Sequence, residues 1–110
     1  MSSEAYVTAD NVSQMKAALA TQPLAVSIEA DQASFQYYTS GVLDSGCGTY
    51  LDHAVLVVGW NHDSASGEDY WLVKNSWNTS WGDQGYIKIA IQDGVGVCGI
   101  QMEPETVDSN

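Results

Sequence analysis

The fold turns on residues Asp69 to Tyr86, DYWLVKNSWNTSWGDQGY. Tyr70-Trp71-Leu72-Val73 reads as a strand, because aromatic and β-branched side chains suit a pleated, half-buried surface. The run then breaks on Asn75-Ser76 and passes through Trp77-Asn78-Thr79-Ser80-Trp81. A strand that only built a core could end on any turn. This one ends on an amide fenced by indoles. The chain resumes at Gly85-Tyr86-Ile87-Lys88-Ile89-Ala90-Ile91, which alternates cleanly and predicts another strand.

Upstream lies LDHAVLVVGW, Leu51 to Trp60. Its run of aliphatics from Val55 to Val58 predicts a strand buried on both faces. Asn61 to Glu68 is polar and joins it to the Tyr70–Lys74 strand as a hairpin. Leu24 to Glu29 alternates well enough for a half-buried strand. Asn11 and Gln14 have capping-box spacing, and Val12, Met15, Ala18 and Leu19 fall on one helical face, so a helix starts here and stops before Pro23. Ala33 to Tyr38 reads as a short helical turn. Gly41 to Thr49 is turn chemistry around Cys47, and Gly94 to Gly99 is a loop holding Cys98. Residues 104–110 read as a loose acidic tail. The expectation is one domain over residues 1–110, mainly β and α+β overall. Its frame is a curved antiparallel sheet or small open barrel, with an N-terminal helix and short helical turns.

The bulk numbers agree with a folded domain. Of 110 residues, 45% are hydrophobic and 15% charged, which is the composition of a globule and not of a disordered chain. Fourteen acids against three bases give a net charge of −11. The acids are scattered, so the surface is acidic throughout and repels phosphates and anionic lipid. Nucleic acid and membrane partners are excluded on that ground. Met1-Ser2-Ser3 has neither the basic nor the apolar character of a signal peptide. The two cysteines and two histidines lack zinc-site spacing, and no metal or cofactor is expected. A disulfide between Cys47 and Cys98 is one reading open to them. It would close a loop of about 51 residues and contribute roughly 4 kcal/mol in the chain-entropy picture. Asn11 and Asn78 each head an Asn-x-Ser/Thr sequon, a weak signal for glycosylation.

One pair of residues carries chemistry. His53 opens a strand, and Asn75 closes the strand expected to pair with it. At one end of a sheet the two side chains can face each other. An asparagine carbonyl can fix an imidazole's tautomer and ring angle without adding charge, and Trp77, two residues on, could keep water from that bond. Two readings fit the spacing. His53 is either a satisfied core histidine beside a turn asparagine, or the base in the orienting half of a Cys-His-Asn arrangement.

The motifs LDHAVLVVGW, DYWLVKNSWNTSWGDQGYIKIA and CGI together resemble the C-terminal half of papain-like cysteine proteases, the cathepsin L type in particular. The resemblance runs from about Val12 to Met102. It implies that His53 is the catalytic histidine, Asn75 its orienting asparagine and Trp77 the indole that shields their bond. It implies a Cys47–Cys98 disulfide. It implies that the backbone of Asp52 lies along the substrate, and that Ser27 and Leu51 line the pocket for the side chain second before the cut. Glu103 would sit at that pocket's floor and admit a basic side chain; otherwise it is an exposed carboxylate beside Pro104.

The sequence departs from the family's pattern in three places. The family's nucleophilic cysteine and oxyanion-hole glutamine belong to an N-terminal domain and have no counterpart here. Cys47, six residues before His53, matches the disulfide instead. This stretch is therefore expected to supply the base and its orienter to a cysteine endopeptidase, and to be inactive alone. It would need a Cys-bearing N-terminal domain as partner, with peptides or proteins as substrates and protein inhibitors as further candidates. The alternative is a non-catalytic module on the same fold that binds peptides or inhibitors. In either case the face left uncovered predicts self-association of the isolated domain. Asn78 stands where the family has glycine, so a left-handed backbone is expected there. The tail after Met102 lacks the family's aromatic-proline ending. The family and its disulfide imply a secretory route, lysosome-like or extracellular.

Overall fold

The computed structural model describes residues 9–77 and 79–106. Helix α1 (Val12–Leu19) leads into strand β1 (Leu24–Ile28) and a one-turn helix α2 (Ala33–Gln36). Strands β2 (Val42–Leu43), β3 (His53–Asp63), β4 (Glu68–Lys74) and β5 (Tyr86–Ala90) follow. A 3-10 turn at Val97–Gly99 precedes β6 (Glu105–Thr106). The strands form one open sheet in the order β2-β5-β4-β3-β1-β6. Every pairing is antiparallel except β2 with β5, which is parallel.

Helix α1 begins where its cap predicts. The Asn11 side chain accepts from Gln14 N–H at 3.0 Å, satisfying one of the first-turn donors that a helix leaves orphaned. Met15 is fully buried on the inward face, and Val12, Ala18 and Leu19 pack against the same core. The core itself lies on one face of the sheet. Val55 and Val57 of β3, Trp71 and Val73 of β4, and Ile87 and Ile89 of β5 are all buried there, each pair following the period of two that a strand dictates.

Three features differ from the sequence expectation. Strand β3 is buried on one face only. Leu56 and Val58 are half-buried and Ala54 is exposed, because the outer face opens into a groove described below. Both arms of the hairpin are longer than the polar stretch suggested, running out to Asp63 and in from Glu68, since polar residues pair as well as apolar ones where one face is wet. Part of the stretch expected as a loose tail is ordered. Glu105 and Thr106 pair with Ala25 and Leu24, and Pro104 is buried; residues 107–110 lie outside the described residues.

A bulge between Val57 and Gly59 shifts the β3–β4 register. The extra residue reverses the inside–outside alternation beyond it, so Trp60 comes to lie opposite Trp71. The Lys16 ammonium of α1 sits 3.8 Å above the Trp60 ring, tying the helix to the hairpin by a cation–π contact. Among the described residues, no helix is long and apolar enough to cross a membrane.

Candidate active site

Strand parity brings the site together. His53 shares a face with Val55 and Val57, and Asn75 shares one with Trp71 and Val73, so both side chains leave the core-facing side at the same end of the hairpin. His53 Nε2 lies 2.8 Å from Asn75 Oδ1. The Asn75 oxygen also accepts from Ser76 N–H at 2.7 Å. The Ser76 backbone N–H is a fixed donor, so the atom it meets is the amide oxygen and cannot be exchanged for the amide nitrogen. The ring nitrogen facing it must therefore carry the proton, which leaves Nδ1 with its lone pair. The arrangement has a cost: Asn75 is 5% exposed and its Nδ2 is buried with no partner among the described residues, a penalty of about 1–3 kcal/mol.

Trp77 packs on the imidazole, with ring centroids 5.2 Å apart and a tilt of 32°. The indole is held in turn by Phe35 of α2, edge-on at 5.4 Å, and by Trp81, edge-on at 5.4 Å. Trp81 tilts against Phe35 at 5.0 Å and donates its ring N–H to Gln36 O at 3.0 Å. The loop between Asn75 and Tyr86 closes on itself: Asn75 N–H donates to Gly85 O at 3.0 Å, and Gly85 N–H to Trp81 O at 2.8 Å. Gly82 is required in it, since a Cβ there would stand 2.7 Å from the Tyr86 carbonyl oxygen at a φ of +62°. Tyr38 completes the aromatic group. Burial pushes its phenol above the ordinary value, outweighing the bond from Lys88 N–H.

The segment before His53 is pinned to β1. Asp52 N–H donates to Ile28 O at 3.0 Å, and the Asp52 carboxylate accepts from Ala30 N–H at 2.8 Å. Leu51 packs on Gly99, where an added Cβ would meet Leu51 Cδ2 at 2.9 Å and Met102 Sδ at 3.0 Å. Ser27 of β1 pairs with Ala54 of β3, and Glu103 is exposed in the turn before β6. Cys47 and Cys98 form a disulfide with Cα atoms 5.1 Å apart, so neither is a free thiol. Asn78 and its expected left-handed backbone lie outside the described residues.

At the same end of the hairpin, Ala54, Val55, Leu56, Lys74, Asn75 and Ser76 line an open groove of about 380 Å³. Among the described residues, no cluster of three His, Cys, Asp or Glu side chains has the placement to hold a metal.

This geometry can be set beside known proteins. The sequence profile of the papain family cysteine proteases matches residues 1–107. The chain belongs to the papain family of cysteine proteases. It is 50% identical over 100 residues to the probable cysteine protease RDL2 of Arabidopsis thaliana, covering 89% of this chain and 27% of that protein. It is 45% identical over 101 residues to fruit bromelain of Ananas comosus, covering 90% of this chain and 28% of that protein. The solved bromelain protease of Ananas comosus, in complex with the E64 inhibitor, superposes with a TM-score of 0.85 at 44% identity, over 94% of this chain and 49% of that one. The chain thus spans about a quarter of the curated relatives it matches and half of that solved chain.

Within this papain-family chain, two supports of the site escape the sequence reading. Phe35 underlies Trp77 from far away in sequence, and no local pattern links the two. Trp81 stands in the Asp69–Tyr86 sequence, but its bond to Gln36 O follows only from the packed loop.

Proposed function

We propose that this stretch supplies the proton-transfer half of a cysteine endopeptidase. His53 acts as base and then acid, Asn75 orients it, and Trp77 covers their bond. The 2.8 Å contact between His53 Nε2 and Asn75 Oδ1 carries the reading. It leaves Nδ1 as the nitrogen available to a thiol. The thiol itself must come from a Cys-bearing N-terminal half, since both cysteines here are spent in the disulfide.

The steps follow from that tautomer. The thiol passes its proton to His53 Nδ1, giving a thiolate–imidazolium pair. The thiolate attacks the peptide carbonyl, and Nδ1–H then protonates the leaving amine. Nδ1 next takes a proton from water, which releases the acyl group. Throughout, Nε2–H stays on Asn75 Oδ1. A neutral amide suits both charge states of the ring, and the bond strengthens when the ring is charged.

Several further assignments rest on the same reading. Ser27 and Leu51 would wall the pocket for the side chain second before the cut, with the Asp52 backbone along the substrate. Glu103 at its floor would let it accept a basic as well as an apolar side chain. The packing of Leu51 on Gly99 beside Met102 supports this placement. The groove along Ala54, Leu56 and Lys74 is the surface the Cys-bearing half would cover, and the isolated chain should self-associate through it. Protein inhibitors would dock on the cleft between the halves. The disulfide favours an oxidising, secretory route ending in a lysosome-like or extracellular space. There Asn11 is a candidate glycan site, because its cap uses Oδ1 and leaves the amide nitrogen, and Asn78 is another.

The lack of a free thiol also fits a non-catalytic module that binds peptides or inhibitors. Reconstitution separates the two. The chain is mixed with the Cys-bearing half of a relative such as fruit bromelain, and hydrolysis of fluorogenic peptides is followed. Hydrolysis is expected from the mixture and from neither part, and His53→Ala should lower it at least about 100-fold. Light scattering on the chain alone should show mass rising with concentration. A folded complex with no His53-dependent hydrolysis would overturn the enzymatic reading.

A further inference from the structure

Glu29 is a carboxylate that the mechanism does not use, yet it is only 6% exposed. Buried charges of this kind are rare unless they hold something. Its Oε1 accepts from Gly48 N–H, and its Oε2 lies 3.4 Å from Gln32 Nε2. The contact with Gly48 is close enough that a Cβ added there would stand 3.0 Å from Oε1. The Glu29 backbone N–H donates to Cys98 O at 2.9 Å. Cys98 takes a left-handed backbone, with φ 60° and ψ 18°, and is bonded to Cys47, the neighbour of Gly48.

Residues 28 to 30 thus grip the segment leading into His53 at successive points. Ile28 O holds Asp52 N–H, Ala30 N–H holds the Asp52 carboxylate, and the Glu29 carboxylate holds Gly48. The covalent bond at Cys47 fixes the loop's distance from Cys98. It does not fix the direction in which residues 48–52 leave it. Among the described residues, the bond from Gly48 N–H to Glu29 sets that direction next to the disulfide, and the two bonds at Asp52 hold the far end.

We propose that Glu29 is a positioning residue that aligns residues 48–52 along the peptide-binding side of the cleft and so sets substrate affinity. It acts on binding, because His53 has its own supports in Asn75 and the Ile28–His53 strand pair. The proposal rests on the endopeptidase reading. It also makes a statement about Gly48 that stands without it.

The test has two arms. In the first, hydrogen exchange and circular dichroism are measured on the chain alone. The Gly48 amide should be protected in the native chain and in Glu29→Gln, which keeps an acceptor at Oε1. It should lose at least tenfold of that protection in Glu29→Asp, which keeps the charge but falls short of the amide. In the second, the same variants are joined to the Cys-bearing half. Glu29→Asp should raise KM about tenfold with kcat within about twofold, and Glu29→Gln should restore KM. Equal behaviour of Asp and Gln, or a fall in kcat at constant KM, would overturn the proposal. If Glu29→Ala folds, it should match Asp; if it does not fold, the Asp–Gln contrast still decides. If the native reconstituted enzyme has no activity, it is the endopeptidase reading that fails. The exchange arm alone then decides whether Glu29 holds Gly48, with equal protection in Asp and native chains overturning it.

Discussion

The β3–β4 hairpin carries a histidine near each end, and each makes a bond of 2.8 Å across the strands. His53 faces Asn75, and His62 faces Asp69. Equal length hides opposite physics. Asn75 is 5% exposed and its partner ring packs on Trp77, whereas the His62 and Asp69 side chains are 56% and 42% exposed. The inner pair joins Nε2 to a neutral oxygen, so Nδ1 is the nitrogen that points away from the bond. The outer pair joins Nδ1 to a carboxylate in water. What sets the inner bond apart is its burial, its uncharged partner and the ring nitrogen it uses.

The comparison breaks most readily at its cover. Trp77→Ala removes an indole that packs on Phe35, Trp81 and His53 at once. Full burial of a tryptophan would cost about 3–5 kcal/mol on truncation. Trp77 is half-buried, so a loss of about 2–3 kcal/mol is expected in urea unfolding of the chain. The same variant should make the inner pair behave like the outer one, with water competing for Asn75 Oδ1. A loss below about 0.5 kcal/mol, the range of ordinary surface changes, would mean the lid is not packed as described.

Next is the partner. In the mechanism proposed above, Asn75→Ala removes a bond to a ring that is charged for part of the cycle, worth about 1.5–3 kcal/mol. In the reconstituted enzyme that corresponds to a roughly 10- to 150-fold loss of kcat/KM. Stability should move less, because the substitution also removes the orphaned Nδ2 and its desolvation cost. Activity should therefore fall further than stability. The opposite order, with a large unfolding effect and a rate within threefold of native, would make Asn75 a structural residue.

Much of this site was legible in the sequence because strand parity is a local rule. His53, Val55 and Val57 alternate on one strand, as Trp71, Val73 and Asn75 do on the next. A hairpin is enough to bring the two sets together. The helix start at Asn11 was legible for the same reason, since a cap is read within four residues. Where tertiary packing decides, the pattern is silent. Val42-Leu43 becomes a strand inside a glycine-rich turn only because Lys88 and Ile89 offer an open edge beside it. Leu56 and Val58 are as apolar as their neighbours, yet their half-burial depends on what covers the outer face. Phe35 beneath Trp77 and Glu29 at Gly48 are contacts between distant segments. Neither residue type at those positions announces its partner.

The weakest effect belongs to the outer pair, and it is the sharpest check on the comparison. A double-mutant cycle with His62→Ala and Asp69→Ala isolates their coupling from the other contact of Asp69, the Lys16 ammonium 3.9 Å from its second oxygen. Two exposed partners of this kind are worth about 0–1 kcal/mol. Part of that small sum should fade between low and high salt, because exposed charges are screened within a Debye length. The expected coupling is therefore below about 1 kcal/mol and falls on adding salt. A salt-independent coupling of about 2 kcal/mol or more would place His62 among strongly coupled pairs. Burial would then no longer separate the two ends of the hairpin, and only the ring nitrogen each histidine commits to its bond would distinguish them.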